Sequence, residues 1–202
     1  MADINRNHKD TLFRQVFKDN KHFSDLYKLC SGKRVNADEI TRFDLDSEVV
    51  QRERYNDVSF LTDDNRVILM IEHQSTVSGN LAVKLGAYFF DLLRLWAEHE
   101  GVSIHDKQER QLPKPEMYVV YNGSKPYGKQ EDVFVSGRFL SITVPIVNIK
   151  YDYLEDQSSG NYVAGYAFLQ HEFELGVYSG LADKDAFRRA VESCKTSRPF
   201  SK

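Results

Sequence analysis

The sequence contains only two cysteines, Cys30 and Cys194, in 202 residues. Two cysteines this far apart are too few for a disulfide framework, and they lack the close spacing of metal ligands. The first ten residues are polar, so they do not contain the apolar segment of a secretory signal. The longest apolar stretch, near residues 85–90, is too short and too interrupted to cross a bilayer. These absences predict a soluble, reduced protein with no membrane partner, located in the cytoplasm.

The net charge is also small, −3 at neutral pH. That balance argues against a protein that coats nucleic acid non-specifically. The charges are unevenly distributed, however. Residues 1–34 contain eight Lys and Arg against four Asp and Glu, whereas residues 35–76 contain four Arg against ten Asp and Glu. An acidic centre beside a basic flank can hold a metal next to a phosphate-binding surface, and two ordinary solvent-facing surfaces explain the charges equally well.

The most informative segment is residues 55–76, YNDVSFLTDDNRVILMIEHQST. Two apolar segments of strand type, residues 58–61 and 67–71, flank the turn-forming sequence DDNR and predict a β-hairpin. A turn centred in DDNR sets a register in which Asp57 lies opposite Glu72. Two carboxylates then face each other across the hairpin.

Facing carboxylates need an explanation, because like charges on paired residues destabilise neighbouring strands. A divalent cation between Asp57 and Glu72 provides one, since Mg²⁺ prefers carboxylate and water oxygens as ligands. Side chains alternate along a strand, so Gln74 shares the face of Glu72 and the His73 side chain points to the opposite face. The sequence therefore predicts one polar cluster of Asp57, Glu72 and Gln74, with His73 as a packed or hydrogen-bonded side chain.

Apolar residues at helical spacing predict the helices of the chain. They cover about residues 7–30 (one long helix or two short ones), 81–97, 161–175 and 186–194. Ser31-Gly32 is expected to end the first region, and Asn80 is a candidate N-cap of the 81–97 helix.

The strand signals outside the hairpin are less uniform. Residues 40–54 contain a weak strand pattern, and residues 117–121 form an apolar run typical of a buried strand. The run at residues 142–149 contains Pro145, which predicts an edge strand. A helix between two strands implies a crossover, so the strand at 117–121 should lie parallel to a neighbour in a mixed sheet. One α/β domain with a mostly helical C-terminal extension is expected.

The spacing of Asp57, Glu72 and Gln74, D-x(14)-E-x-Q, resembles the active-site signature of the PD-(D/E)XK nuclease superfamily. More narrowly, the segments NHKDTLFRQVFKD, YNDVSFL, IEHQST and PEMYVVYNG look like those of the Rpn family of recombination-promoting nucleases and transposases. The similarity runs in order from about residue 8 to residue 127, and less distinctly over residues 142–150.

This resemblance implies a restriction-endonuclease-like core, with a helix, a three-stranded meander, a second helix and a further strand in a mixed central sheet flanked by helices. The nuclease-like domain is expected over residues 1–155, and residues 156–202 form a helical C-terminal extension packed on it. Because the chain ends abruptly after the last predicted helix, truncation of that extension is left open.

The resemblance also implies that Asp57, Glu72 and the backbone carbonyl of His73 bind Mg²⁺ or Mn²⁺. Water activated by the metal would then attack a DNA phosphodiester. An acid from a helix often completes such a site, and Asp10 is the first candidate, with Glu48 the second. Most polar residues on the polar side of the first predicted helix face solvent, and this is the expectation for Arg14, Lys18 and Lys21.

Gln74 occupies the position at which the superfamily usually has a lysine. An ammonium group can stabilise developing negative charge, whereas an amide can only orient water through neutral hydrogen bonds. Lys84, on the following helix, can supply the missing charge if it points at the site, although a solvent-facing helix lysine is the simpler interpretation.

The first functional hypothesis is a Mg²⁺-dependent DNA endonuclease connected with recombination or mobile elements. A nuclease-fold module that binds DNA or protein without catalysis is the second, and both Gln74 and the negative net charge favour it. An inert remnant of a mobile element is the third. DNA is the expected partner, and a homodimer, which many nucleases of this fold use to cut both strands, is left open.

Overall fold

The computed structural model describes residues 6–43, 57–64, 67–103, 107, 111–154 and 161–196, with side chains from residue 11 onward. The helices are α1 (Arg6–Phe17), α2 (Asn20–Ser31), α3 (Leu81–His99), α4 (Tyr162–Tyr178) and α5 (Asp183–Thr196). The strands are β1 (Ile40–Arg42), β2 (Val58–Thr62), β3 (Val67–Gln74), β4 (Lys114–Tyr121), β5 (Glu131–Ser136) and β6 (Leu140–Asn148). Short 3-10 helices cover Ala37–Glu39 and Tyr151–Tyr153.

The strands form one mixed sheet in the order β1-β2-β3-β4-β6-β5. Strands β1, β2 and β3 are an antiparallel meander, and α3 then crosses over to β4, which is parallel to β3. Strand β6 is parallel to β4, so β3, β4 and β6 all end at the same edge of the sheet. The predicted α/β class, the crossover and the parallel neighbour of the 117–121 strand are confirmed.

Alternation of side chains along β3 separates the two helical layers. Leu69 and Ile71 belong to the cluster that includes residues of α1, α2 and α4. Ile68 and Met70 point the other way and pack with Tyr88 and other residues of α3. Strand β3 is therefore buried on both faces, and any polar side chain near its end must find partners from one layer or the other.

The predicted region 7–30 consists of two helices rather than one. The break lies at Asp19, whose side chain accepts hydrogen bonds from the backbone N–H groups of Lys21 and His22 and so caps α2. Gly32 ends α2 in the left-handed region, with a φ of 70°. The predicted end at Ser31-Gly32 is confirmed.

The start of α3 differs from its prediction. Asn80 lies at the N-cap position, but its side chain makes no capping hydrogen bond. The carboxylate of Asp132, a buried residue of β5, instead accepts from the backbone N–H of Ala82 at 2.9 Å and from Lys129 at 2.8 Å. An acid from an unpredicted strand has replaced the local cap, and its negative charge lies at the favourable end of the helix dipole.

The edge-strand prediction for residues 142–149 is wrong, because β6 lies between β4 and β5. The proline is tolerated there for a local reason. Strand β4 pairs with β6 only from Ile146 onward, so Pro145 is paired on one side alone, with Glu131 of β5. Strand β4 likewise begins earlier than predicted and includes Pro115, in a stretch that pairs only with β3.

The two C-terminal helices are confirmed. Helix α4 contributes Val163, Tyr166 and neighbouring residues to the same hydrophobic cluster as α1 and α2. Helix α5 packs against α4, where Ala186 lies so close to Gly176 that a Cβ on the glycine would be 2.9 Å from the alanine Cβ. The predicted domain boundary at residue 155 lies outside the described residues. Most of the weak strand region, residues 40–54, lies outside them as well, and β1 covers its start.

None of the described helices combines the length and the apolar character needed to span a membrane.

We predict that Asp132→Ala lowers the free energy of unfolding by about 1–2 kcal/mol, since the substitution removes the side-chain cap of α3. Urea denaturation followed by circular dichroism measures this change. Asn80→Ala is the matched control and should change the free energy by less than about 0.5 kcal/mol, because surface substitutions that remove no contact are nearly neutral. A larger loss in Asn80→Ala than in Asp132→Ala would contradict the assignment of the cap.

Candidate active site

The predicted hairpin register is confirmed: Val58 pairs with Ile71, and the following pairs keep the same register. Continued by one residue, this register sets Asp57 opposite Glu72. Both acids are buried, with 6% of Asp57 and 4% of Glu72 exposed. The tip of the predicted turn, residues 65 and 66, lies outside the described residues. Two carboxylates therefore meet in the interior at the end of the hairpin.

Backbone hydrogen bonds hold the two carboxylates in place. The N–H of Asp57 donates to Oε2 of Glu72 at 3.3 Å. The N–H of His73 donates to Oδ2 of Asp57 at 2.7 Å. Each acid is thus hydrogen-bonded to the opposite strand, so neither can swing away without losing a buried bond.

A basic side chain from each helical layer contacts one of the acids. Arg14 of α1 donates from Nε to Oδ1 of Asp57 at 3.2 Å. The ammonium of Lys84, on α3, donates to Oε1 of Glu72. The solvent-facing interpretation of Lys84 is therefore wrong, and Arg14 is a site residue that the sequence analysis assigned to the solvent-facing side of its helix.

Glu72 has an unusual ionisation. Burial raises its pKa, the charge of Asp57 raises it further, and Lys84 offsets only part of the effect, so the pKa reaches about 8. Burial by itself would lower the pKa of Lys84, but the ion pair with Glu72 outweighs it and raises that pKa. The two acids are matched by two bases, yet burial still disfavours the charged form of Glu72, and a cation bound by the carboxylates would favour it.

Tyr88 is a second residue that the sequence analysis did not assign to the site. The Lys84 ammonium lies 5.6 Å from the centroid of its ring. Burial and the charge of Glu72 raise the pKa of the phenol, which therefore stays protonated at neutral pH. Tyr88 thus packs a neutral aromatic ring against the Lys84 side chain and restricts where the ammonium can lie.

The helical spacing of the sequence could have identified both Arg14 and Tyr88. Arg14 lies between Phe13 and Phe17, which are fully buried, so it stands at the edge of the buried face of α1. Tyr88 follows Lys84 by four residues and therefore shares a face of α3 with it.

The residues next to Glu72 follow the predicted alternation. His73 points to the other face, where its ring stacks on Phe13 with centroids 4.8 Å apart. Its Nε2 also shares a hydrogen bond with the hydroxyl of Tyr166 at 3.3 Å. The predicted packed histidine is confirmed, and the proposed role of the His73 carbonyl as a metal ligand stays a prediction.

Gln74 ends β3 and is half-buried. Its backbone carbonyl accepts from the N–H of Asn122 at 3.2 Å, whereas its side-chain amide makes no hydrogen bond within the described part of the chain. The amide can therefore bind water or a ligand without breaking an existing contact.

The residues present fit a divalent cation bound by two carboxylates. Within the described residues, no group of three or more His, Cys, Asp or Glu side chains is placed to hold a metal. Asp10 belongs to α1, but its side chain lies outside what the structure describes, and Glu48 lies outside the described residues altogether. Mg²⁺ commonly uses one or two carboxylates and completes its coordination with water and substrate phosphates. Asp57 and Glu72, two buried carboxylates that face each other across the hairpin, suit that arrangement.

Comparisons of the chain with protein-family models, with curated proteins and with solved structures find no significant match. Function is therefore inferred from the side chains of the site.

We predict that Glu72 lowers the stability of the metal-free protein more and more as the pH rises. The pKa of Glu72 is about 8 in the folded state against 4.5 for an ordinary glutamate, so folding retains a proton between these values. The penalty for burying its charge is absent below the lower value, grows through this window and is complete above the upper one. The thermal midpoint of Glu72→Gln, measured in EDTA, should therefore shift upward relative to wild type between about pH 5 and about pH 9.

Glu116→Gln is the matched control. Hydrogen bonds from Tyr27 and Lys33 outweigh the burial that opposes ionisation of Glu116 and lower its pKa. The ionised Glu116 carboxylate therefore stabilises the folded state above the ordinary pKa of glutamate, and this stabilisation is lost as the pH falls through the lowered pKa. The Glu116→Gln variant should accordingly be less stable than wild type between about pH 5 and about pH 9. An upward shift of the same size in both variants would contradict the assignment to Glu72.

Proposed function

We propose that the chain is a metal-dependent DNA endonuclease with a PD-(D/E)XK core. The observation that supports this most directly is the pair of buried carboxylates, Asp57 and Glu72, with the ammonium of Lys84 at Glu72. The order of a helical region, a three-stranded meander, α3 and the parallel strand β4 agrees with the core that such nucleases use. The resemblance to the Rpn family supports the same choice and suggests a role in recombination or mobile-element activity.

Lys84 can supply the positive charge that Gln74 lacks. The superfamily's usual lysine stands two residues after the glutamate on the same strand, whereas here a lysine from α3 reaches the glutamate from the neighbouring layer. An ammonium group delivered from a helix has the same charge and hydrogen-bonding capacity as one delivered from a strand. Replacement of the strand lysine by Gln74 therefore does not remove the positive charge from the site.

Asp57 and Glu72 would hold Mg²⁺ or Mn²⁺, and the bound metal would lower the pKa of water and stabilise the charge that develops on a phosphodiester. Arg14 fixes the Asp57 carboxylate, and the free amide of Gln74 orients a water molecule. Lys84 neutralises Glu72 in the metal-free protein. With a cation held by Glu72, Lys84 would be free to contact the phosphate, where its charge would stabilise the transition state.

DNA is the proposed substrate, and the basic side chains of the first helical region are its proposed backbone contacts. Lys18 and Lys21 are exposed there, on the turn and helix that follow Arg14. Phosphate contacts of this kind position a duplex without reading its sequence. A cytoplasmic location and a homodimer that cuts both strands complete the proposal.

A nuclease-fold module without catalysis is the second candidate. The observation that favours it is that both carboxylates already have a protein cation, Arg14 for Asp57 and Lys84 for Glu72. In that case the acids would be structural, and DNA would bind without being cut. Calorimetry separates the candidates: Mg²⁺ or Mn²⁺ affinity that disappears in Asp57→Asn supports the enzyme, and salt-sensitive DNA binding with no metal affinity supports the module.

We predict that the wild-type protein nicks supercoiled plasmid in the presence of Mg²⁺ or Mn²⁺, and that Asp57→Asn and Glu72→Gln each reduce the rate at least about 100-fold. Gel electrophoresis of the plasmid measures the rate. Asp63→Asn is the matched control, since Asp63 is an exposed acid at the turn end of the same hairpin. Wild-type protein that leaves the plasmid intact with both metals, or variants that nick as fast as wild type, would overturn the proposal.

We also predict opposite effects of Lys84→Met on catalysis and on metal binding. The nicking rate at saturating metal should fall about 100-fold or more, because the charge that stabilises the transition state is lost. Mg²⁺ affinity, measured by calorimetry, should be unchanged or tighter, because Lys84 no longer competes for Glu72. Lys195→Met, at an exposed position of α5 away from the site and from the proposed DNA contacts, should alter neither. A parallel loss of rate and metal affinity in Lys84→Met would show that the lysine only supports the structure of the site.

A further inference from the structure

A cavity of about 290 Å³ lies beyond the carboxyl ends of β4 and β6, beside α4. Asn122 follows β4 directly, Lys150 and Tyr151 follow β6, and Gln170 and His171 line the cavity from α4. Most of the side chains that line the cavity are polar or charged. No residue of the candidate active site lines it.

The wall of this cavity contains buried amides without partners. Asn122 is only 5% exposed, yet neither its amide nitrogen nor its amide oxygen has a hydrogen-bond partner in the described part of the chain. Gln170, also 5% exposed, has an unpartnered Oε1. Buried polar groups in folded proteins are almost always hydrogen-bonded, so these atoms point to a ligand that offers both a donor and an acceptor.

The backbone at Asn122 is held by contacts with the end of β3. Its backbone N–H donates to the carbonyl of Gln74 at 3.2 Å, which ties the cavity wall to the end of β3. A Cβ on the next residue, Gly123, would lie 2.5 Å from the backbone oxygen of Ser75, so only glycine allows this approach. The cavity is therefore attached rigidly to the strand that contains Glu72 and Gln74.

The charges around the cavity argue against a phosphate ligand, and the aromatic side chains favour a planar one. Lys150 is opposed by Asp152 and Glu174, so the lining has no excess positive charge to hold a phosphate. Two aromatic side chains, Tyr151 and His171, line the cavity with their ring centroids 5.9 Å apart. A neutral, planar group with a hydrogen-bonding edge suits this combination, because rings pack against its face and an amide side chain pairs with its edge.

We propose that the cavity binds a nucleobase. Asn122 pairs with the edge of the base through both amide atoms, Gln170 accepts a further hydrogen bond, and the ring of Tyr151 packs on the base. The choice of a nucleobase over other planar ligands rests on the proposed nuclease function, since the cavity adjoins the strand of the candidate active site. The base can come from a DNA strand or from a free nucleoside, and the chemistry of recognition is the same.

Calorimetric titration of the full chain in EDTA tests this without requiring cleavage. The titrants are deoxynucleosides, a short single-stranded oligonucleotide, and the same strand with one abasic position. We expect Asn122→Ala to weaken binding of the base-bearing ligand about tenfold or more, since two hydrogen bonds are lost. Gln130→Ala is the matched control, because Gln130 is an exposed polar residue that does not line the cavity. It should bind as wild type does.

The outcomes separate this inference from the proposed function. Saturable binding of deoxynucleosides that depends on Asn122 identifies a free ligand, and a dependence seen only with the intact strand identifies a base within DNA. Either result stands even if the protein fails to nick plasmid. Wild-type affinity in Asn122→Ala, or no binding of any base-bearing titrant, would overturn the inference and leave a cavity that holds only water, whatever the nicking assay shows.

Discussion

The burial of two facing carboxylates at the end of one hairpin is the constraint on which the rest of the site depends. Asp57 and Glu72 would repel each other strongly in the protein interior, where charges are poorly screened. The fold offsets the repulsion with Arg14 from one helical layer, Lys84 from the other, and the backbone N–H of His73. Both layers therefore converge on this point, and the hairpin, α1 and α3 are held together through it.

Despite these partners, burial still disfavours the charged form of Glu72. Burial is the main cause of the raised pKa of Glu72 and the charge of Asp57 is the next, so a positive charge bound beside Glu72 would favour its ionised form. A divalent cation has that charge and the preference for oxygen ligands, and it would release Lys84 from its ion pair. Under the proposed function the same lysine would serve two states: it pairs with Glu72 in the metal-free protein, and it would supply the positive charge that Gln74 does not carry.

Features set by local periodicity could be predicted from the sequence, and features set by distant neighbours could not. The register that pairs Asp57 with Glu72 follows from a short turn and a period of two, and so does the packing of the His73 ring on the opposite face of the sheet. Whether Lys84 faced solvent or the site depended on how α3 packs on the sheet. The cap of α3 depended on Asp132, which is 50 residues away along the chain, and the inner position of β6 depended on the unpredicted strand β5.

A structure of the protein soaked in Mn²⁺ tests the central claim most directly, since the anomalous signal of the metal identifies its position without reference to the protein atoms. We expect an anomalous peak between the carboxylates of Asp57 and Glu72, with the Lys84 ammonium withdrawn from Glu72. Saturating Mn²⁺ that leaves no peak at these carboxylates, with Lys84 still paired to Glu72, would contradict the claim that the two acids form a metal site.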